Sequence, residues 1–324
     1  IKDASAQFGR NGQLLKQAND NLLQLAAAWK AEEDPGTKAE IEAMYTGLTR
    51  HLLDQGFEAG SGLGTVHHLG YSMRNFYTAP VIMKEVLEKA GLRNRVQAAM
   101  EWFSGVGEVK AAPVEPGMDI DAFNTSLMGR VASLLMLEDT PYKAAYMKAL
   151  SRWVDNGFRY ADGTRPCFKT DGTVVHHRKA YPAYATGGFD GAVKAVWMLA
   201  GTGFAISEES HGILKQALLE MRFYCNRESF PLAMSGRHPD GKGALIPSQY
   251  ALLADAGSPD RSEAIDRELA SAYMRLDGSG RYGKKFAGAG ISAEPAPEGC
   301  HVYGYNCSMS HRRGEWLVTF AGHS

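Results

Sequence analysis

Asp171-Gly172-Thr173-Val174-Val175-His176-His177-Arg178-Lys179-Ala180-Tyr181-Pro182-Ala183-Tyr184 is the stretch that decides how the rest of this chain is read. It is too rich in glycine and proline for the interior of a helix, yet helical patterns flank it on both sides. Upstream, Leu14, Leu15, Ala18, Leu22, Leu25 and Trp29 fall on one stripe of an amphipathic helix that Asp34-Pro35-Gly36 stops. A second helix is expected from Lys38 to Leu53, and another from Met73 to Lys89 with Gly91 as its C-terminal cap. Phe123, Leu127, Val131, Leu134 and Leu135 mark the next, and Thr140-Pro141 opens one that carries Ala145, Ala149 and Trp153.

Downstream, helices are expected over Gly188–Leu199, Glu208–Tyr224, Pro247–Ala256 and Pro259–Leu276. Helix pairs joined by long Gly-rich connections point to a mainly α chain, an incomplete α/α toroid of paired antiparallel helices rather than a compact bundle. That toroid is assigned residues 1–277. Residues 278–299, dominated by Gly, Lys and Pro, read as a linker. Residues 300–324 then carry β-type runs, His301–Tyr305 and Trp316–Phe320, around a turn at His311-Arg312-Arg313-Gly314. They read as the first strands of an antiparallel β-sandwich domain, because two strands alone are marginal in water.

Composition narrows the function classes. Lys+Arg of 35 against Asp+Glu of 36 gives a formal net charge of −1, which disfavours bulk binding to nucleic acid or to a membrane surface. No run approaches the ~20 apolar residues that a membrane span requires. Cys167, Cys225, Cys300 and Cys307 lack the CxxC spacing of a zinc knuckle. The histidine pairs His67-His68 and His176-His177 lack the HExxH spacing that puts two ligands on one helix face. No catalytic metal is expected, and a structural divalent cation such as calcium remains compatible with the acidic oxygens available.

The chemistry sits in the opening stretch, where His177 and Tyr184 stand seven residues apart beside Arg178 and Lys179. An imidazole, a phenol and an arginine are the groups needed to take a weakly acidic C–H proton next to a carboxylate. The cation holds the carboxylate, and the phenol, acidified by positive neighbours, acts as base. Three further segments stand out: the glycine-rich run from Gly60 to Tyr71 that leads into Arg74, Asn75, Phe76 and Tyr77; Phe123-Asn124-Thr125 at a helix start; and Ser235-Gly236-Arg237-His238-Pro239. Taken alone, each of these residues is more often surface or packing than catalytic.

In order and spacing, these pieces resemble polysaccharide lyase family 8, and within it the chondroitin ABC branch most. The resemblance rests on His67-His68-Leu69-Gly70-Tyr71-Ser72, Phe123-Asn124-Thr125, Asp171–Tyr184, Gly236-Arg237-His238-Pro239 and His311-Arg312. It implies that His177 and Tyr184 are the catalytic His and Tyr and that Arg237 is the Arg beside the leaving oxygen. Asn124 would help neutralise the uronate carboxyl. His68, Arg74, Phe76, Tyr77, Tyr181 and His238 are counted with the substrate-binding residues; Trp102, in a helical pattern, is expected in the core. The family's cleft tryptophans are replaced here by Phe76-Tyr77 or Asn75-Phe76. Its catalytic Glu is expected in a β domain beyond Ser324.

The implied function is β-elimination on uronate-containing glycosaminoglycans, namely chondroitin sulfate and dermatan sulfate, with hyaluronan as a further candidate. The product is a 4,5-unsaturated uronate. The implied partners are the anionic polysaccharide and the remaining C-terminal β domains of the same protein, and polymers too large to import imply a secreted or periplasmic location. Two other readings are carried. A toroidal glycoside hydrolase would draw two carboxylates from Asp119, Asp121, Asp171 and Asp190. A non-catalytic glycan-binding module would hold polymer without shortening it.

Overall fold

The computed structural model describes residues 4–62, 66–236, 243–314 and 316–322, with the side chains of 4–14 and 66–69 left aside. Its helices run in order α1 (Ala4–Ala31), α2 (Pro35–Asp54), α3 (Val66–Ile82), α4 (Lys84–Lys89), α5 (Arg93–Ser104), α6 (Ile120–Ala122) and α7 (Met128–Leu135). They continue as α8 (Pro141–Phe158), α9 (Pro182–Leu199), α10 (Glu208–Tyr224), α11 (Pro247–Ala256), α12 (Arg267–Leu276) and α13 (Gly280–Gly288). The strands are β1 (Val175–His176), β2 (Lys179–Ala180), β3 (Gly299–Tyr303), β4 (Ser308–Arg313) and β5 (Trp316–Ala321). Two compact units result: Ile1–Ala111 with Asn124–Leu150, and Ala112–Phe123 with Ser151–Ser324.

In the first unit, α1 packs on α2 and α3, and α7 packs on α3 and α5. Their apolar stripes close a core that includes Leu22, Tyr45, Met73, Phe76, Tyr77 and Phe103. The Asp34-Pro35 pair ends one helix and begins the next. Asp34 Oδ2 accepts the Thr37 N–H at 2.7 Å as an N-cap, and Pro35 takes the first helical position, so α2 starts three residues before the expected Lys38. The helix expected from Met73 begins at Val66, tolerates Pro80 near its end, and breaks before α4.

Phe76 and Tyr77 are corrections to the sequence reading. Both are 2% exposed, so neither offers a face to a sugar ring. The Tyr77 ring lies where a Cβ on Gly129 would come within 2.6 Å of it, so a glycine on α7 makes room for the phenol. Burial pushes the Tyr77 phenol well up from its ordinary range, with Arg130 opposing. Trp102 is the reverse correction. Its side chain is 52% exposed and its indole N–H donates to the Ser61 carbonyl at 2.9 Å.

In the second unit, α11 packs against α9 and α12. A chain of phenyl rings runs through its interior. Phe123 stacks on Phe158 at 4.8 Å, Phe158 meets Phe168 edge-on at 5.5 Å, and Phe168 stacks on Phe189 at 6.3 Å. The expected linker contains helix α13, anchored by the fully buried Phe286. The expected turn at His311-Arg312-Arg313 is strand β4, the centre of a three-stranded antiparallel sheet β3-β4-β5. Arg312 faces inward and donates to the carbonyls of Phe223 and Cys225, which fixes the sheet to the end of α10. His301 joins that attachment, stacked on Phe223 at 3.7 Å and paired with Glu220 at 2.6 Å.

Among the described residues no helix is long and apolar enough to cross a membrane. Gly129→Ala should cost about 1–3 kcal/mol of stability, the usual range for overpacking a closed core. Urea denaturation would measure it, and a cost below ~0.5 kcal/mol would show that the Tyr77 ring yields.

Candidate active site

The opening stretch folds as a minimal hairpin. Val175 pairs with Ala180 and His176 with Lys179, leaving His177 and Arg178 as a two-residue turn. Both adopt left-handed backbone, at φ 51° and 66°. A two-residue hairpin turn needs positive φ at its centre to match strand twist, and Asn-Gly is the usual solution. Using L-residues with full side chains costs roughly 1–2 kcal/mol at each position. His176 is buried at 4% exposure, while His177, Arg178 and Lys179 are at the surface. The hairpin is fastened by Asn306, whose Oδ1 accepts the Ala180 N–H at 2.9 Å while its Nδ2 donates to Ser308 Oγ at 2.9 Å.

Helix α9 begins at Pro182, six residues before the expected Gly188, so Tyr184 lies in its first turn rather than in a loop. Proline at N1 starts a helix as readily as it breaks one. The outcome is a cluster of four rings. His177 and Tyr184 meet edge-on with centroids 5.6 Å apart, His176 lies 4.3 Å from Tyr184, and Tyr181 lies 4.6 Å from Tyr184. Tyr184 is half-buried, with its ring against both imidazoles. Tyr181 is 1% exposed, which corrects its expected part in binding substrate: it is the floor under Tyr184, not a surface for sugar.

Two glycines permit this arrangement. A Cβ on Gly188 would come within 2.4 Å of Ile120, so α9 accepts the α6 turn against its own backbone. Gly236 sits at φ 62°, and a Cβ there would meet the Tyr181 ring at 2.9 Å. The Ser235-Gly236 loop therefore rests on the floor of the cluster. Arg237 and His238, which continue it, lie outside the described residues, as does the side chain of His68.

The α6 turn adds a feature that sequence spacing did not reveal. Asp119 caps the turn by accepting the Asp121 N–H at 2.9 Å. Its Oδ1 lies 3.1 Å from His176 Nδ1, and Asp121 Oδ2 lies 3.9 Å from His176 Nε2. The donor atoms of the three residues fall within 4.8 Å of one another. Neither nitrogen of the buried His176 makes a hydrogen bond of proper geometry among the described residues. Two carboxylates and an orphaned imidazole suit a divalent cation, although the nitrogen is a softer donor than calcium ordinarily takes. The two imidazole rings of the pair lie 4.0 Å apart and tilted by 54°, His176 buried and His177 exposed, so both belong to the cluster around Tyr184.

The first unit holds the other predicted residues. A Cβ on Gly70 would fall 2.5 Å from Thr125, so α3 approaches the Phe123–Leu127 π-turn closely. One turn along α3, exposed Arg74 donates to Asn124 Oδ1 and lies over the Tyr71 ring at 5.3 Å. Arg74 and Asn124 are thus brought together, and the guanidinium sets which way the Asn124 amide is turned. A π-turn at such a place is a frequent companion of function.

Residues 1–281 match the family model described as "Lyase, catalytic". A chondroitin sulfate ABC exolyase of Bacteroides thetaiotaomicron is 41% identical over 94% of this chain, and one of Proteus vulgaris is 32% identical over 96%. The chain spans about a third of the length of these relatives, 32% in both cases. Among solved structures, a chondroitin AC lyase of Streptomyces coelicolor A3 in complex with chondroitin sulphate is similar with a TM-score of 0.66 at 15% identity. That likeness covers 92% of this chain and 44% of the other, and it is one of fold: the helix pairs are those of an α/α toroid, with small sheets added.

Gly236→Ala should lower stability by about 1–3 kcal/mol, combining a disfavoured backbone with a clash against Tyr181. Calorimetry together with near-ultraviolet circular dichroism of the tyrosines checks it. An unchanged spectrum and melting temperature would mean that the loop does not rest on the ring cluster.

Proposed function

Because the chain belongs to the family described as "Lyase, catalytic", we propose that it supplies the helical catalytic part of a polysaccharide lyase acting on uronate-containing glycosaminoglycans. Chondroitin sulfate and dermatan sulfate are the proposed substrates, with hyaluronan as a third. The reading is carried by the edge-on contact of His177 and Tyr184 at the rim of a buried ring cluster.

The C5 hydrogen of a uronate is weakly acidic, and its removal moves charge into the adjacent carboxylate. A phenol ordinarily titrates near ~10, so Tyr184 needs positive charge beside it to act as a base at neutral pH. Protonated His177 or Arg237 supplies that charge. The Tyr184 oxygen takes the C5 proton, the C–H electron pair becomes the C4=C5 double bond, and the C4–O4 bond breaks. The phenol returns its proton to O4, which leaves with the neighbouring sugar. For the other uronate epimer, His177 would take the proton.

The hydrolase alternative needs two uncommitted carboxylates flanking the bond. Asp171 accepts from Thr173 N at 3.0 Å and Thr173 Oγ1 at 2.6 Å, which closes a turn, and Asp190 pairs with Lys194 on the exposed side of α9. Asp119 and Asp121 are engaged around His176. Elimination is the better supported chemistry. Polymers too large to import put the proposed action outside the cytoplasm, in a secreted or periplasmic protein.

A divalent cation, calcium among them, is proposed at Asp119, Asp121 and His176 as a support for the hairpin. It would neutralise the carboxylates behind His177 and has no part in the proton transfers. Saturating calcium or manganese, at ~100 times the dissociation constant, would then stabilise the metal-stripped protein by about 2.7 kcal/mol. Thermal scans should show that rise, and Asp121→Asn should remove it; equal melting temperatures with and without either ion exclude the site.

In the complete protein, Tyr184→Phe should reduce formation of the near-ultraviolet-absorbing unsaturated product by about 10²–10⁴-fold, the range for losing a general acid–base, with polymer binding retained. Turnover within tenfold of the parent would take Tyr184 out of the mechanism.

A further inference from the structure

Beside the hairpin lies a cavity of about 310 Å³, within the second unit. Arg178, Lys179, Thr164, Tyr305 and Asn306 are among its nine lining residues, and none of the nine is acidic. We propose that this cavity is a subsite for a sulfate ester of the glycan substrate, with Arg178 and Lys179 supplying the charge. The proposal rests on the lyase reading and adds what that reading leaves open: how substitution on the hexosamine would be sensed.

The hairpin itself gives the first argument. His177 occupies a left-handed position, and its proposed chemistry accounts for the side chain there. Arg178 occupies the next at φ 66°, where glycine or asparagine would be at ease, and the elimination chemistry gives it no task. What the chain keeps at this unfavourable backbone is a guanidinium, a group whose planar fork matches tetrahedral oxyanions.

Neighbouring cations give the second argument. Lys169, 5.1 Å from the Tyr305 ring, is committed to the carbonyls of Ala161 and Arg165. Among the described residues Arg178 and Lys179 take part in no ion pair, and both are exposed. Two positive charges in a concave site without a carboxylate attract an anion and focus its approach.

Rigidity is the third. Asn306 ties Ala180 to the β3–β4 connection at 2.9 Å, and Tyr305 N–H donates to Asp171 Oδ2 at 3.4 Å. Both walls are fastened before any ligand arrives, so binding does not have to order them. The anion that such a site meets in a glycosaminoglycan is either a sulfate ester or a second uronate carboxylate. Arginine with lysine and the hydroxyls of Thr164 and Tyr305 give donors from several directions, which suits the three terminal oxygens of a sulfate ester better than a planar carboxylate.

The test uses the complete protein and the double variant Arg178→Gln/Lys179→Gln. Steady-state kcat/KM is measured on chondroitin sulfate and on chemically desulfated chondroitin, which share the same uronate. The ratio of the two values is expected to fall about tenfold in the double variant, through KM on the sulfated polymer. An equal fall on both substrates, leaving the ratio unchanged, would assign the pair to the uronate and overturn the proposal; so would no change on either. Arg178→Gly, which relaxes the turn, should raise the melting temperature while lowering the same ratio, so a folding defect cannot imitate the result. If the parent protein cleaves neither polymer, the lyase reading fails instead. Calorimetric binding of sulfated and desulfated tetrasaccharides to parent and double variant then decides the subsite alone, with equal affinities overturning it.

Discussion

A two-residue connection governs the second unit. His177 and Arg178 join β1 to β2 in left-handed backbone, and the rings of His176 and His177 sit 4.0 Å apart on this connection. The buried imidazole lies beside Asp119 and Asp121, and the exposed one meets the edge of Tyr184. The conformational cost is met by the fastening at Asn306 and by the phenyl chain from Phe123 to Phe189 beneath it. Strain at a site and rigidity around it are two sides of one arrangement.

The rings differ in role because they differ in solvent access. Tyr181 and Tyr184 are three residues apart and touch, yet one is sealed and the other half-open. The sealed ring holds position, and the half-open one is within reach of solvent. The same logic separates Arg312 from Arg178. The first spends its donors on backbone carbonyls to hold a sheet, and the second has its charge turned to a cavity. Counting basic residues in a sequence treats them alike, and only their surroundings tell them apart.

Local features were legible beforehand, non-local ones were not. The closeness of His177 and Tyr184 follows from seven intervening steps within one short segment, and α10 and α11 were bounded correctly by their caps and prolines. Pro182 was read as a breaker because glycine and alanine around it carry little periodic signal, although the same proline opens α9. Helix α13 escaped notice for a like reason: three of its nine residues are glycines, and Phe286 is the one large side chain that marks its buried side. Phe76 and Tyr77 fell on a helix whose buried side is set by α7, a neighbour that no local pattern names. The Asp119–Asp121–His176 group brings together residues more than fifty positions apart, and nothing in either segment alone announces the other. Aspartates two apart are common in turns, so their only early signal was as unsorted hydrolase candidates.

The side-chain amide of Asn306 bridges three stretches of chain, taking the Ala180 N–H on one end and giving to Ser308 Oγ and Met234 Sδ on the other. A growing polypeptide emerges from the ribosome with its hairpin more than a hundred residues ahead of this latch. The His177-Arg178 turn must therefore wait for the sheet to be synthesised before it can be locked. A protein cut at residue 281, where the family match ends, would keep every ring of the cluster and lose the piece that holds them in register.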